Sequence, residues 1–360
     1  MHYVPVWHER FMPSAAQLYY HHDGPLHGGL NNMLMHLAQL LHDVCERRST
    51  GTLVLPLLTT GVNFFRKDKD EPYHNETHAF GDLFDARYFA RRVRPCRVAE
   101  KLADGAKSRP LHLVRITSEW PRRFGKALMV VYEALRPGRL VLHHLASAMR
   151  TVDASNVGKR WAAVHLRIER DWFFGTQFCS VAKYSPRRCF TPNEIALITK
   201  RQRMQERSSG TLLLYAADMV SHLLTVQPAA FGAHTVKLPP LANETYTVRT
   251  AVEMFVAAQA PAGFFGNSYS SFSRGVGMLR ASSSCTVGTC GNRHSFAYDC
   301  AAKFEAAAVW GDGVNALEVA EPMGCSSENA LRVRGKLGSI EGARVYLIHA
   351  GRTRPKLPAR

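Results

Sequence analysis

Apolar residues recur at helical spacing from Leu30 through Met33, Leu34, Leu37 and Leu41 to Val44, so one face of a helix there calls for burial. The run Thr52-Leu53-Val54-Leu55-Pro56 follows and reads as a buried strand. Ahead of the helix, the stretch from Tyr19 to Asn32 is polar and rich in His and Gly, which reads as a loop. Loop, helix, strand is the order of an α/β unit. The pattern predicts further strands at 111–116 and 140–143, a helix between them at 126–135, and a polar linker at 151–159.

The second half repeats this logic. A strand is predicted at 161–168, with Val164, Leu166 and Ile168 on one side and His165, Arg167 and Glu169 on the other. Thr191-Pro192-Asn193-Glu194 opens a helix predicted to run to 206. Strands at 211–216 and 234–238, a helix at 248–258, a strand at 263–266 and a helix at 270–279 complete the alternation. Residues 285–360 show no clear period. Two α/β halves with a cleft between them are the economical architecture, and 360 residues suffice for two domains.

Three stretches carry candidate chemistry. Gly28-Gly29-Leu30-Asn31-Asn32 starts a helix, where glycines admit a ligand to the backbone and free N–H groups attract anions. The same pattern also describes a tight turn with an Asn cap. His165-Leu166-Arg167 places a cation at the end of a strand, and an arginine fork matches phosphate oxygens. A salt bridge from Arg167 to Glu169 or Asp171 is the competing reading. Gly266-Asn267-Ser268-Tyr269-Ser270-Ser271-Phe272-Ser273 runs from a strand into small hydroxyl residues and a helix start, which is a diphosphate cradle or an ordinary capped helix.

Charge and cysteine content narrow the partners. The net charge of +17 favours an anionic partner, but Lys and Arg are scattered without a basic tail or interleaved aromatics, so nucleic acid is not expected. Neither a Walker loop nor a Gly-x-Gly-x-x-Gly is present, which argues against an ATPase or a dehydrogenase. None of the eight cysteines forms a C-x-x-C pair, and the histidines lack a supporting ligand set, so no metal site is expected. Cys179/Cys189 and Cys285/Cys290/Cys300 are close enough in sequence to pair. With the glycosylation triplets at Asn75 and Asn243, the cysteines lean toward a secretory lumen. Residues 1–11 lack the apolar run of a signal peptide, so that location, endoplasmic reticulum or Golgi, requires a leader missing from this chain; otherwise the cytoplasm is expected. No run is long enough for an integral membrane span.

Taken in order, the three stretches resemble the motifs of the GDP-fucose protein O-fucosyltransferase family, with Phe80-Gly81-Asp82-Leu83-Phe84-Asp85-Ala86-Arg87-Tyr88-Phe89 similar to the segment that follows the first. The resemblance spans roughly residues 20–280. It implies a GT-B-type α/β fold, with two Rossmann-like domains facing across a cleft. The N-terminal domain, 1–155, would carry the Gly/Asn loop on the acceptor side. The nucleotide-sugar domain would cover 156–320, and 321–360 would be an extension. The implied reaction is inverting transfer of fucose from GDP-fucose to a Ser/Thr hydroxyl of a protein, without cofactor or metal.

By the same resemblance, Arg167 would hold the β-phosphate and stabilise departing GDP, and Asn32 would be the active-site asparagine. Gly29, Asn31, His165, Asn267, Ser270, Ser271 and Phe272 would bind the donor. Glu253 stands where the family has a guanine-reading aspartate, with one extra residue before Asn267. Met33 replaces a common Gln, and the first loop lacks the glutamate base of some members; Asp23, His27 and Asn32 are the local alternatives. Two rival readings keep the cleft: a related glycosyltransferase with another sugar nucleotide or a glycan acceptor, and a catalytically inactive nucleotide-sugar-binding module.

Overall fold

The computed structural model describes residues 18–45, 51–60, 77–114, 120–156, 160–167, 192–205, 210–215, 226–238, 241, 245–267, 270–281 and 295–297. The first half contains β1 (Tyr19–His22), β2 (Leu26–Gly28), α1 (Leu30–Cys45), β3 (Thr52–Val54), β4 (Leu58–Thr60) and β5 (Thr77–His78). It continues with α2 (Phe80–Leu83), α3 (Ala86–Arg92), β6 (Arg97–Ala99), β7 (Ser108–Leu111), α4 (Trp120–Ala134) and α5 (Arg139–Ser155). The second half contains β8 (Trp161–Leu166), α6 (Pro192–Gln205), β9 (Gly210–Tyr215), β10 (His234–Lys237), α7 (Tyr246–Ala258), β11 (Phe264–Gly266), α8 (Ser271–Ala281) and β12 (Ser295–Ala297).

Each half builds a parallel sheet. The first has the order β6-β3-β1-β7, and Tyr20 of β1 sits between Leu53 and Arg109. The second has the order β10-β9-β8-β11-β12, with His165 opposite Leu214 and Phe265 opposite Val164. A small sheet, β2-β4-β5, lies beside the first. In both main sheets the chain adds strands to one side of the first strand and then crosses to its other side. Ligands of open α/β sheets bind at the carboxyl ends of the two strands flanking that reversal. In the second sheet these are β8 and β11.

The helix patterned from Leu30 to Val44 is α1, and its apolar face is buried. Four sequence expectations are corrected. The strand expected at 111–116 lies instead at Ser108–Leu111 as β7, and 112–114 are not strand. The polar loop expected over Tyr19 to Asn32 contains β1, the strand between β3 and β7 in the first sheet. The strand expected at 140–143 is the first turn of α5, where Val141, Leu145, Ala148 and Val152 form the buried stripe. The linker expected from 151 begins instead with the last turn of α5, which ends at Ser155.

Cys45, at the end of α1, is disulfide-bonded to Cys96, ahead of β6, closing a sequence separation of 51. The cysteine pairs expected from spacing, the asparagines of the two glycosylation triplets and residues 321–360 lie outside the described residues. No described helix is long and apolar enough to cross a membrane.

Candidate active site

The carboxyl ends of β8 and β11 meet the first turn of α8. Gly266 ends β11, and a Cβ there would stand 2.5 Å from Ser273 Oγ and 2.7 Å from the Phe264 ring. Only glycine lets α8 come this close to the strand. The Asn267 N–H donates to Ser273 Oγ at 3.0 Å, and its carbonyl accepts from the Ser270 N–H at 3.1 Å. Ser270 caps α8, its Oγ accepting from the Ser273 N–H at 3.4 Å. Capping and anion binding both draw on the positive end of the helix, so this cap leaves the cradle reading intact.

His165 is buried on β8, with Nδ1 2.7 Å from Ser273 Oγ and its ring 4.7 Å from that of Phe272. Burial, then the charge of Arg167, pulls the imidazole pKa down to about 3, so the ring is neutral at physiological pH. Ser273 is fully buried and already accepts from Asn267, so its hydroxyl proton needs an acceptor, which Nδ1 supplies. That network assigns the proton to Nε2, which has no protein partner. Arg167, one residue beyond β8, is half-buried. Glu169 and Asp171 lie outside the described residues, as do Ser268 and Tyr269.

The first loop reaches the same helix from the other half. Gly28 has φ +125°, and α1 starts two residues later. Asn31 is buried, its Oδ1 accepting from the Tyr132 hydroxyl at 2.7 Å. It packs on Gly275 of α8 so closely that a Cβ there would collide with Asn31 Oδ1. Asn32 and Gly29 are exposed. Thus Asn31 brings the first loop within a helical turn or two of Ser270, Ser271 and Phe272, and residues of all three sequence stretches meet around α8.

Glu253 does not join them. Its carboxylate is buried on α7, accepts from Arg249 Nε at 3.0 Å and lies against α5 and the end of β10. β9 separates β10 from β8.

Sequence reasoning missed Ser273 as the group orienting His165, although it ends the motif that was singled out. It also missed Arg274, whose pKa burial lowers to about 10, still a cation beside Tyr132. Tyr132 itself is pushed up by burial. Among the described residues no group of His, Cys, Asp or Glu could hold a metal ion.

Two parallel α/β units, the second with a nucleotide-binding strand order, define a GT-B-type fold. The solved structure of POFUT1 in complex with GDP is similar, at 13% identity over 79% of this chain and 99% of that chain, with a TM-score of 0.50. POFUT1 in complex with GDP-fucose aligns at 12% identity over 79% and 98% of the two chains, with a TM-score of 0.49. The α-1,6-fucosyltransferase NodZ soaked with GDP-fucose aligns at 12% identity over 73% and 92%, with a TM-score of 0.42. No protein-family model and no curated protein matches the chain. At 13% identity the likeness to POFUT1 in complex with GDP establishes the fold alone.

Proposed function

We propose that this chain is a fucosyltransferase that moves fucose from GDP-fucose, with inversion, to a Ser or Thr hydroxyl of a protein. The carrying observation is the convergence of His165, Asn267, Ser270 and the start of α8 on the β8/β11 reversal, beside Arg167. Arg167 pairs its fork with the β-phosphate. As the acceptor hydroxyl oxygen attacks C1, the bond from C1 to the phosphate oxygen breaks, its electron pair leaves with GDP, and the hydroxyl proton is released to water. Arg167 stabilises that developing charge, and the neutral Nε2–H of His165 donates a hydrogen bond without adding a second buried cation. The likeness to GDP-bound POFUT1 supports this choice of donor. On this reading the chain works in an oxidising lumen, which the Cys45–Cys96 disulfide supports.

Calorimetric titration with GDP, GDP-fucose, GDP-mannose and UDP in the presence of EDTA tests the donor site. GDP and GDP-fucose should bind, with UDP far weaker; equal binding of UDP overturns guanine selectivity. Arg167→Ala should cut transfer by at least ~100-fold, as loss of one transition-state donor typically does. Arg167→Lys should stay poor, because a point charge does not reproduce the fork. Turnover by the alanine variant within ~10-fold of wild type would remove Arg167 from the mechanism.

A further inference from the structure

Away from the β8/β11 site, the first half carries a surface with an excess of positive charge. Between Ala86 and Arg109 the chain has eight Arg or Lys and two carboxylates. Arg87 and Arg91 lie one turn apart on the outward side of α3, opposite buried Ala86 and Phe89. Among the described residues neither has a hydrogen-bond or ion-pair partner, nor do the exposed Arg94 and Arg97 beyond them. Arg136 lies over the Tyr88 ring at 3.7 Å. Such a set raises the local potential and draws in an anion.

The surface is also concave. Between the start of α3 and the start of α5 lies an open groove of about 350 Å³, with Arg87 on one wall and Arg139 on the other. Leu142, 52% exposed, forms an apolar strip along it. Two carboxylates share the groove: Asp85, which caps α3 by accepting from the Tyr88 N–H at 2.8 Å, and the exposed Glu100. A lining of two arginines and two carboxylates suits a chain whose negative charges are spaced better than a densely sulfated glycan, and a flat lipid surface does not enter a concave site. An extended peptide with spaced carboxylates fits both features. Its acidic side chains meet the guanidinium forks, and the residues between them cover Leu142.

We propose that this groove is a docking site for an acidic polypeptide segment, separate from the donor site. Resting on the function proposed above, that segment belongs to the acceptor protein, held by the half that carries the Gly/Asn loop.

The test is fluorescence anisotropy of a labelled peptide of alternating glutamate and glycine, with its glutamine counterpart as control. Wild-type protein should bind the acidic peptide, less tightly as salt rises, and ignore the control. The variant Arg87→Glu/Arg91→Glu/Arg139→Glu should bind at least ~10-fold more weakly, and the corresponding Gln variant should fall between. Both should bind GDP as wild type does, which also reports that they fold. Unchanged peptide binding by the variants overturns the proposal. So does binding of a heparin fragment or phosphatidylserine vesicles that the variants lose while keeping the peptide. Wild-type protein that binds the peptide through these arginines but not GDP supports the groove and overturns the donor assignment.

Discussion

Ser273 satisfies two partners with one oxygen, and His165 owes its tautomer to that arrangement and its neutrality to burial and the nearby charge of Arg167. Below about pH 6.5 the unfolded chain protonates His165, whereas the folded chain resists until about pH 3. Stability is therefore lost as pH falls through that window. Between pH 7 and pH 5 the site should cost roughly 2 kcal/mol. A His165→Gln variant should lack this share of the loss. Urea unfolding of both proteins at the two pH values measures it, and identical slopes would show that His165 does not control acid sensitivity. At this scale the sequence was readable where residue type dictates chemistry, as at Arg167 and His165. It was unreadable where partners come from elsewhere in the chain. The pairing of Glu253 with Arg249, and the packing of Asn31 against Tyr132 and Gly275, come from no pattern singled out in the sequence.

Among the elements, α7 and α8 are joined by a buried cation. Arg280 is fully buried, and its Nη1 donates to the carbonyls of Ala257, Ala258 and Ala260 at 3.3, 2.9 and 2.9 Å. Burial lowers its pKa to about 10, so it remains charged at neutral pH. These carbonyls close the end of α7, where cations are favoured. Arg280→Met should therefore destabilise the protein by about 3 kcal/mol, with Arg280→Lys recovering part of the loss. An unchanged denaturation midpoint for the methionine variant would mean that α7 is closed by other contacts. Element identity was legible where period and length agreed, as in α1, whose stripe spans several turns. It failed at β1, where a four-residue Tyr-Tyr-His-His strand has one buried side chain and its order comes from ladders to β3 and β7. It failed again at 140–143, because a short apolar run fits strand and helix equally until Leu145, Ala148 and Val152 extend it.

Over the whole molecule, the two halves share one hydrophobic core and a set of specific joints. His78 of β5 lies 2.9 Å from the Thr245 hydroxyl that caps α7, and Phe84 faces Phe255 at 6.2 Å. The tightest joint is Asn31 on Gly275, beside the Tyr132 hydroxyl. Gly275→Ala should push α1 off α8, weaken GDP binding about 10-fold, and destabilise the protein by about 1–3 kcal/mol, the usual penalty of overpacking. Titration and thermal unfolding of that variant read both; wild-type affinity would mean the joint is mechanical only. The same contact has a thermodynamic consequence. Through it, whatever presses α1 more firmly on α8 favours nucleotide, and nucleotide must return the favour by the identical factor. A molecule held on the first half and a nucleotide held on the second would then each report the other's presence, though neither touches the other.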